Sequence, residues 1–189
     1  MTTKNETYFG NPDTFAIRYL QILSDENEGE KYAYCHLVLG GQIIGDKNEK
    51  CYLKTWMSAI YSLKEKLDNN FEALSIPEFK NKTDREIFEL LLKANQLETE
   101  HKQDFSYLLI LDNEVWSSCL ISLDETIDAY MIFMIESDRK IQLLWCDWRE
   151  QCQVDKIDKL YSITVDKKFM TNTIESFLLT INKQIHSKS

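Results

Sequence analysis

Carboxylates are the side chains of this sequence best placed to do chemistry. Asp124, Glu125 and Asp128 fall close together where a strand begins, and Glu136 and Asp138 flank a hairpin tip. Two carboxyl groups in one cleft, held at different pKa values, are the machinery of a hydrolase. Neighbouring acids are also what any acidic surface displays, so this pattern commits to no reaction. A second local feature is Trp145-Cys146-Asp147-Trp148-Arg149-Glu150. On a strand Trp145 and Asp147 face one side, Cys146 and Trp148 the other. With Trp145 in the core, Trp148 projects toward the opposite face or rim. Aromatic and Arg side chains beside acids compose interface hot spots. The competing reading packs Trp148 under a helix.

Other reactive residue types are present without the spacing their chemistry needs. His36, His101 and His186 form no i, i+4 pair and no His-Glu-x-x-His, so no zinc site is expected. Cys35, Cys51, Cys119, Cys146 and Cys152 are odd in number and contain no Cys-x-x-Cys pair. Buried free thiols in a reducing compartment account for them most simply. Spacing leaves a Cys–His nucleophile pair open, yet each Cys is expected to be buried or without an activating neighbour. Gly40-Gly41 has no Gly-x-Gly-x-x-Gly context and no helix directly after it, so it reads as a hairpin turn. No Gly-x-Ser-x-Gly elbow, Walker loop or kinase signature occurs. No metal or cofactor site is therefore expected, and none of these patterns is a catalytic signature.

The elements that position these residues centre on Ile127 to Trp148. Ile127, Ala129, Met131, Phe133 and Ile135 alternate with Asp128, Tyr130, Ile132, Met134 and Glu136. Beyond the polar break at 137–140, Ile141, Leu143 and Trp145 continue the period. Period two on both sides of a polar tip predicts a β-hairpin with one face in a core, at the centre of an antiparallel sheet. Phe9 to Asp13 reads as a turn. Strands are expected at Thr14–Leu23, with apolar residues on both faces, at Tyr32–Leu39 and at Gln42–Ile44. Further strands are expected at Phe105–Leu111, Val115–Ser122 and near Leu160–Val165. Ser24 to Lys31 is an acidic loop, either solvated or a contact surface.

Three helices are predicted. Cys51–Leu67 carries Leu53, Trp56, Met57, Ile60, Tyr61 and Leu67 at helical spacing, with Trp56 and Tyr61 read as core. Thr83-Asp84-Arg85-Glu86 is a capping box opening a helix to about Gln96, with Ile87, Leu90, Leu91 and Ala94 inward. Lys167–Ile185 has the stripe Met170, Ile174, Phe177, Leu178, Ile181 and Ile185, and should lie across one sheet face. The fold class is thus α+β: a mainly antiparallel sheet of N-terminal strands plus a central meander, with about three helices packed on it. The 189 residues fit one domain, 1–189.

A net charge of −9 and a pI near 4.9 disfavour nucleic-acid binding, which needs Lys and Arg against phosphate. The same charge suits a basic protein partner, because complementary fields speed encounter; solubility alone is the plainer explanation. Met-Thr-Thr-Lys-Asn-Glu-Thr has no apolar h-region, and the longest apolar runs are too short for a bilayer. A cytoplasmic protein with no membrane partner is expected.

Four segments carry a family resemblance. They are Tyr8-Phe9-Gly10-Asn11-Pro12-Asp13-Thr14-Phe15-Ala16-Ile17, Gly40-Gly41-Gln42-Ile43-Ile44-Gly45-Asp46, Leu123-Asp124-Glu125-Thr126-Ile127-Asp128-Ala129-Tyr130 and Lys140-Ile141-Gln142-Leu143-Leu144-Trp145. In order and spacing they resemble a bacterial polymorphic-toxin immunity family, the one numbered forty-two. The chain departs from that pattern at Ile127, where the family has Phe before the Asp. The resemblance implies a small cytoplasmic protein without catalytic residues. It would bind a cognate toxin domain one-to-one and neutralise it by occluding its active site. Many such toxins are nucleases, which agrees with the acidic charge. No nucleic acid or small-molecule substrate is implied. Asp124, Glu125, Asp128, Asp147 and Trp148 are then the candidate toxin contacts. The competing functions are a hydrolytic enzyme with an acidic cleft and a cytoplasmic adaptor domain.

Overall fold

The computed structural model describes residues 6–22, 32–69, 79, 81–95, 119–124, 127, 130–147 and 159–186. Among these the chain forms two antiparallel sheets and three helices, an α+β architecture. The first sheet contains β1 (Glu6–Gly10), β2 (Phe15–Gln21), β3 (Tyr32–Leu39), β4 (Gln42–Ile43) and β5 (Cys51–Tyr52). Its order is β1-β2-β3-β4, with β5 also paired to β3. The turn expected over Phe9–Asp13 is confined to Asn11–Thr14, because Phe9 and Gly10 pair with Ile17 and Ala16 as the end of β1. The Thr14 N–H donates to the Asn11 carbonyl, and the Asp13 N–H to Asn11 Oδ1, both at 3.0 Å. At Gly40 and Gly41 φ is +55° and +83°, as a primed two-residue hairpin turn requires.

Register sorts this sheet into two faces. Phe9 pairs with Ile17 and Ile17 with Leu37; Tyr19 pairs with Cys35. These side chains meet the helices. Arg18 pairs with His36 on the opposite face. All of β2 except Gln21 is buried, as its two apolar faces predict. β1 and β5 do not show in the sequence pattern. β1 has one buried residue, Phe9, and β5 is two residues long where the helical spacing already begins.

α1 (Leu53–Asp68) buries Leu53, Trp56, Met57, Ile60, Leu63 and Leu67, and the Asn69 N–H closes it on the Glu65 carbonyl at 3.0 Å. Tyr61, read from its spacing as core, is instead 43% exposed. It sits at the margin of the buried stripe, where its hydroxyl accepts a hydrogen bond from Asn182. α2 (Asp84–Asn95) opens with the predicted capping box. The Glu86 N–H donates to Thr83 Oγ1 at 3.3 Å, and the Thr83 N–H to Glu86 Oε2 at 2.7 Å. Its buried face includes Phe88, edge-on to Phe133 at 5.1 Å, beside the expected Ile87 and Leu91.

The central hairpin forms with the expected tip but in a sheet of its own. β6 (Tyr130–Ser137), β7 (Lys140–Asp147) and β8 (Tyr161–Asp166) make a second sheet with β7 between the other two. Asp138 and Arg139 turn the hairpin with φ of +50° and +64°. One buried face was expected; instead 132–135 and 143–146 are buried without interruption. Two layers explain this. α2 covers the Phe133 face, and the β3–β4 turn sits on the Trp145 face, where the Trp145 indole N–H donates to Gln42 Oε1 at 3.1 Å. Of the strand expected over Val115–Ser122, Cys119 is helical, while Leu120 bridges Phe133 antiparallel. The Phe105–Leu111 strand, the acidic run at 24–31 and the connector at 71–78 lie outside the described residues.

α3 (Lys167–His186) follows β8 directly, its first turn capped by Asp166 Oδ1 on the Phe169 N–H at 2.9 Å. It lies beside α1 and across β1 and β2. Phe177 is its central contact, edge-on to Phe9 at 5.4 Å, Trp56 at 5.3 Å and Tyr19 at 6.3 Å. Ile185, expected inside, is 41% exposed, near the last turn of the helix.

Candidate functional site

Two of the five candidate contacts can be placed. Asp124 is partly buried, its carbonyl accepting the Ile127 N–H at 3.1 Å, and its carboxylate acts on Cys35 and His36 of β3. Asp147 ends β7 opposite Tyr130, also partly buried. From Leu120 the chain runs antiparallel to β6, and the Ile121 N–H donates to the Ile132 carbonyl at 2.9 Å. That direction carries Asp124 toward the end of the sheet where Asp147 lies. Glu125, Asp128 and Trp148 lie outside the described residues. Glu136, at the hairpin tip, holds the Lys167 ammonium at 2.8 Å and ties the tip to α3.

A buried polar chain that sequence reasoning missed crosses the outer face of the first sheet. Arg18 and His36 are 7% and 0% exposed. Arg18 Nη1 lies 3.1 Å from His36 Nδ1, and its Nε donates to the Glu6 carboxylate. Arg is donor only, so Nδ1 must accept. His36 is therefore neutral with its proton on Nε2, which donates to the Asp46 carbonyl at 2.9 Å. Burial, aided by the Arg18 charge, pushes the His36 pKa down against the pull of Asp46 and Asp124. Arg18 holds the Glu6 carboxyl below its usual range. The chain fastens the 44–50 segment onto the sheet beside a cleft of about 470 Å³ that Tyr34, Lys47 and Asn48 help to line. Its contacts serve the fold and present no free acid–base pair.

Three of the described thiols are poor nucleophiles. Burial pushes Cys119 up to about 12 and Cys146 up to about 11, and raises Cys35 well above its ordinary value. They stay protonated at neutral pH. Among the described residues no group of His, Cys, Asp or Glu is arranged to hold a metal ion. No described helix is long and apolar enough to cross a membrane.

An apolar opening lies elsewhere, along α1 and the end of α3. Tyr52, Leu53, Met57, Tyr61, Asn182 and Ile185 line a groove of about 420 Å³. Tyr32 stands edge-on to Tyr52 at 5.8 Å beside it. Lys54 is its one charged lining residue among those described. Helical spacing hid this site, because Tyr61 and Ile185 fit a core stripe as well as a surface one.

Comparison with known proteins gives two findings. Residues 1–179 match the family described as immunity protein 42. The chain is also similar to a solved structure described as the crystal structure of CdiI from Burkholderia dolosa AUO158. The two are 14% identical with a TM-score of 0.60, over 92% of this chain and 99% of that one. At that identity the likeness is one of fold. No curated protein matches the chain.

Proposed function

Since this chain belongs to the immunity protein 42 family, we propose that it binds and neutralises the toxin domain of a bacterial contact-dependent or secreted effector. The match over residues 1–179 of 189 carries this reading. The protein acts in the cytoplasm of the producing cell, one-to-one, by covering the toxin's active site, and catalyses nothing. Its net charge of −9 favours a basic partner such as a nuclease. Protonated thiols and a His36 committed on both ring nitrogens agree with a binding role. Asp124, Glu125, Asp128, Asp147 and Trp148 remain the proposed acidic and aromatic contacts. The acids supply the field that steers the toxin.

The test is co-expression with the toxin domain encoded beside this chain. Growth of the poisoned host is restored and a one-to-one complex elutes on size exclusion. Its association slows as salt rises, because exposed charges more than about 10 Å apart are screened at 0.1 M. Continued killing with no complex would remove the proposal.

A further inference from the structure

We propose that the tyrosine groove between α1 and the end of α3 is the anchor for the toxin domain. Its occupant is an uncharged apolar projection on an otherwise basic protein surface. This rests on the toxin-neutralising reading above and assigns it a surface. Among the described residues seven large apolar or aromatic side chains are exposed, and four of them, Tyr32, Tyr52, Tyr61 and Ile185, line or flank this one groove. Tyrosines grouped at a concave, mostly apolar site are the usual composition of an interface centre. The walls are preorganised. Asn182 donates to the Tyr61 hydroxyl and so links α3 to α1, while Tyr32 and Tyr52 brace each other across the β3–β5 pair. Little side-chain freedom is left to lose on binding.

Charge selects the occupant. The lining is apolar surface and hydroxyls with one ammonium, Lys54, so a cation entering it would lose water and meet a like charge. One turn beyond Tyr61, the Lys64 ammonium is held by both Asp68 and Glu175, leaving a carboxylate in excess at that rim. An apolar tip with basic neighbours satisfies both zones, and the overall charge of −9 draws in the domain that carries it. The groove then governs dissociation and the acidic surface governs association.

The experiment measures binding of the full chain to the neighbouring toxin domain, inactivated by substitution at its own active site, by surface plasmon resonance at several salt concentrations. Tyr61→Ala and Ile185→Ser are expected to speed dissociation by about 30-fold each. Tyr61→Phe keeps the ring and stays within about twofold of the parent. Association rates and their salt dependence are unchanged, because no substitution alters charge. Both sites are exposed, and circular dichroism confirms that each variant folds. If the parent binds and both disruptive variants dissociate at the parental rate, the groove is not the anchor, while the immunity reading stands. If the parent does not bind, both fall. If the parent is a dimer that Ile185→Ser renders monomeric, a second copy covers the groove and the proposal is overturned.

Discussion

His36 is a residue whose proton count bears on how firmly the 44–50 segment is held. A second proton would sit on Nδ1, facing the Arg18 guanidinium at 3.1 Å, with two donors opposed and two cations adjacent. The unfolded chain titrates near the ordinary value of about 6.5, and the folded value is lower. Between the two the unfolded state binds more protons, so stability falls as pH drops below about 6.5 and levels off once the folded His36 protonates. Urea midpoints at pH 7.5 and 5.5 check this: the midpoint is lower at pH 5.5, and His36→Asn flattens the difference. An unchanged slope in that variant would assign the loss to other groups. Glu6 titrates in a separate window, its stabilising contribution being lost only as pH falls below about 4.5. None of this network was legible in the sequence, because Arg18, His36 and Asp46 are joined by pairing and folding-back and not by spacing. Trp145 was legible as core, since alternation alone points it inward; Tyr61 and Ile185 were not, since helical spacing does not say where a covering layer stops.

Elements whose signals are local came through with near-correct bounds. The Asn11–Thr14 turn, β3, the Gly40-Gly41 hairpin, the Thr83/Glu86 box and α3 each depend on residues a few positions apart. β1 and β5 depend on partners, Leu20 to Ala16 for one and Tyr32 to Ala33 for the other, and their own residues are too few or too polar to announce a strand. The join between β1 and α3 is narrow at Gly10. Its φ is +91°, and a Cβ there would lie 2.5 Å from the Phe15 carbonyl oxygen and 2.8 Å from Thr173 Cγ2. The first is backbone and cannot rotate away. Gly10→Ala is therefore expected to destabilise the fold by about 2 kcal/mol or more, combining left-handed strain with overpacking. Thermal unfolding measures it. A loss within about 0.5 kcal/mol, the ordinary size for a surface change, would mean that the β1–β2 turn relaxes freely.

At the scale of the molecule, periodicity reported strands but not their division into two sheets. A single antiparallel sheet was the economical topology, and the pattern of the Ile127–Trp148 hairpin contains nothing that distinguishes a sheet centre from a second layer. What decides it is burial on both faces of β6 and β7, which requires a covering layer on each side. One continuous apolar cluster runs from Phe9 and Trp56 through Leu39 to Phe133 and Trp145. The link between the sheets is specific: Trp145 stacks on Tyr161 at 5.5 Å, donates to Gln42, and lies beneath Gly40 of the β3–β4 turn. A core shared in this way predicts that the two sheets unfold together. Far-UV circular dichroism and tryptophan fluorescence should give coincident urea transitions. Trp145→Ala should lower both by the same amount, about 3–5 kcal/mol for a buried aromatic truncated in a packed core. Two separated transitions, with Trp145→Ala moving only one, would mean that each sheet is stable by itself and that 1–189 is not a single cooperative domain.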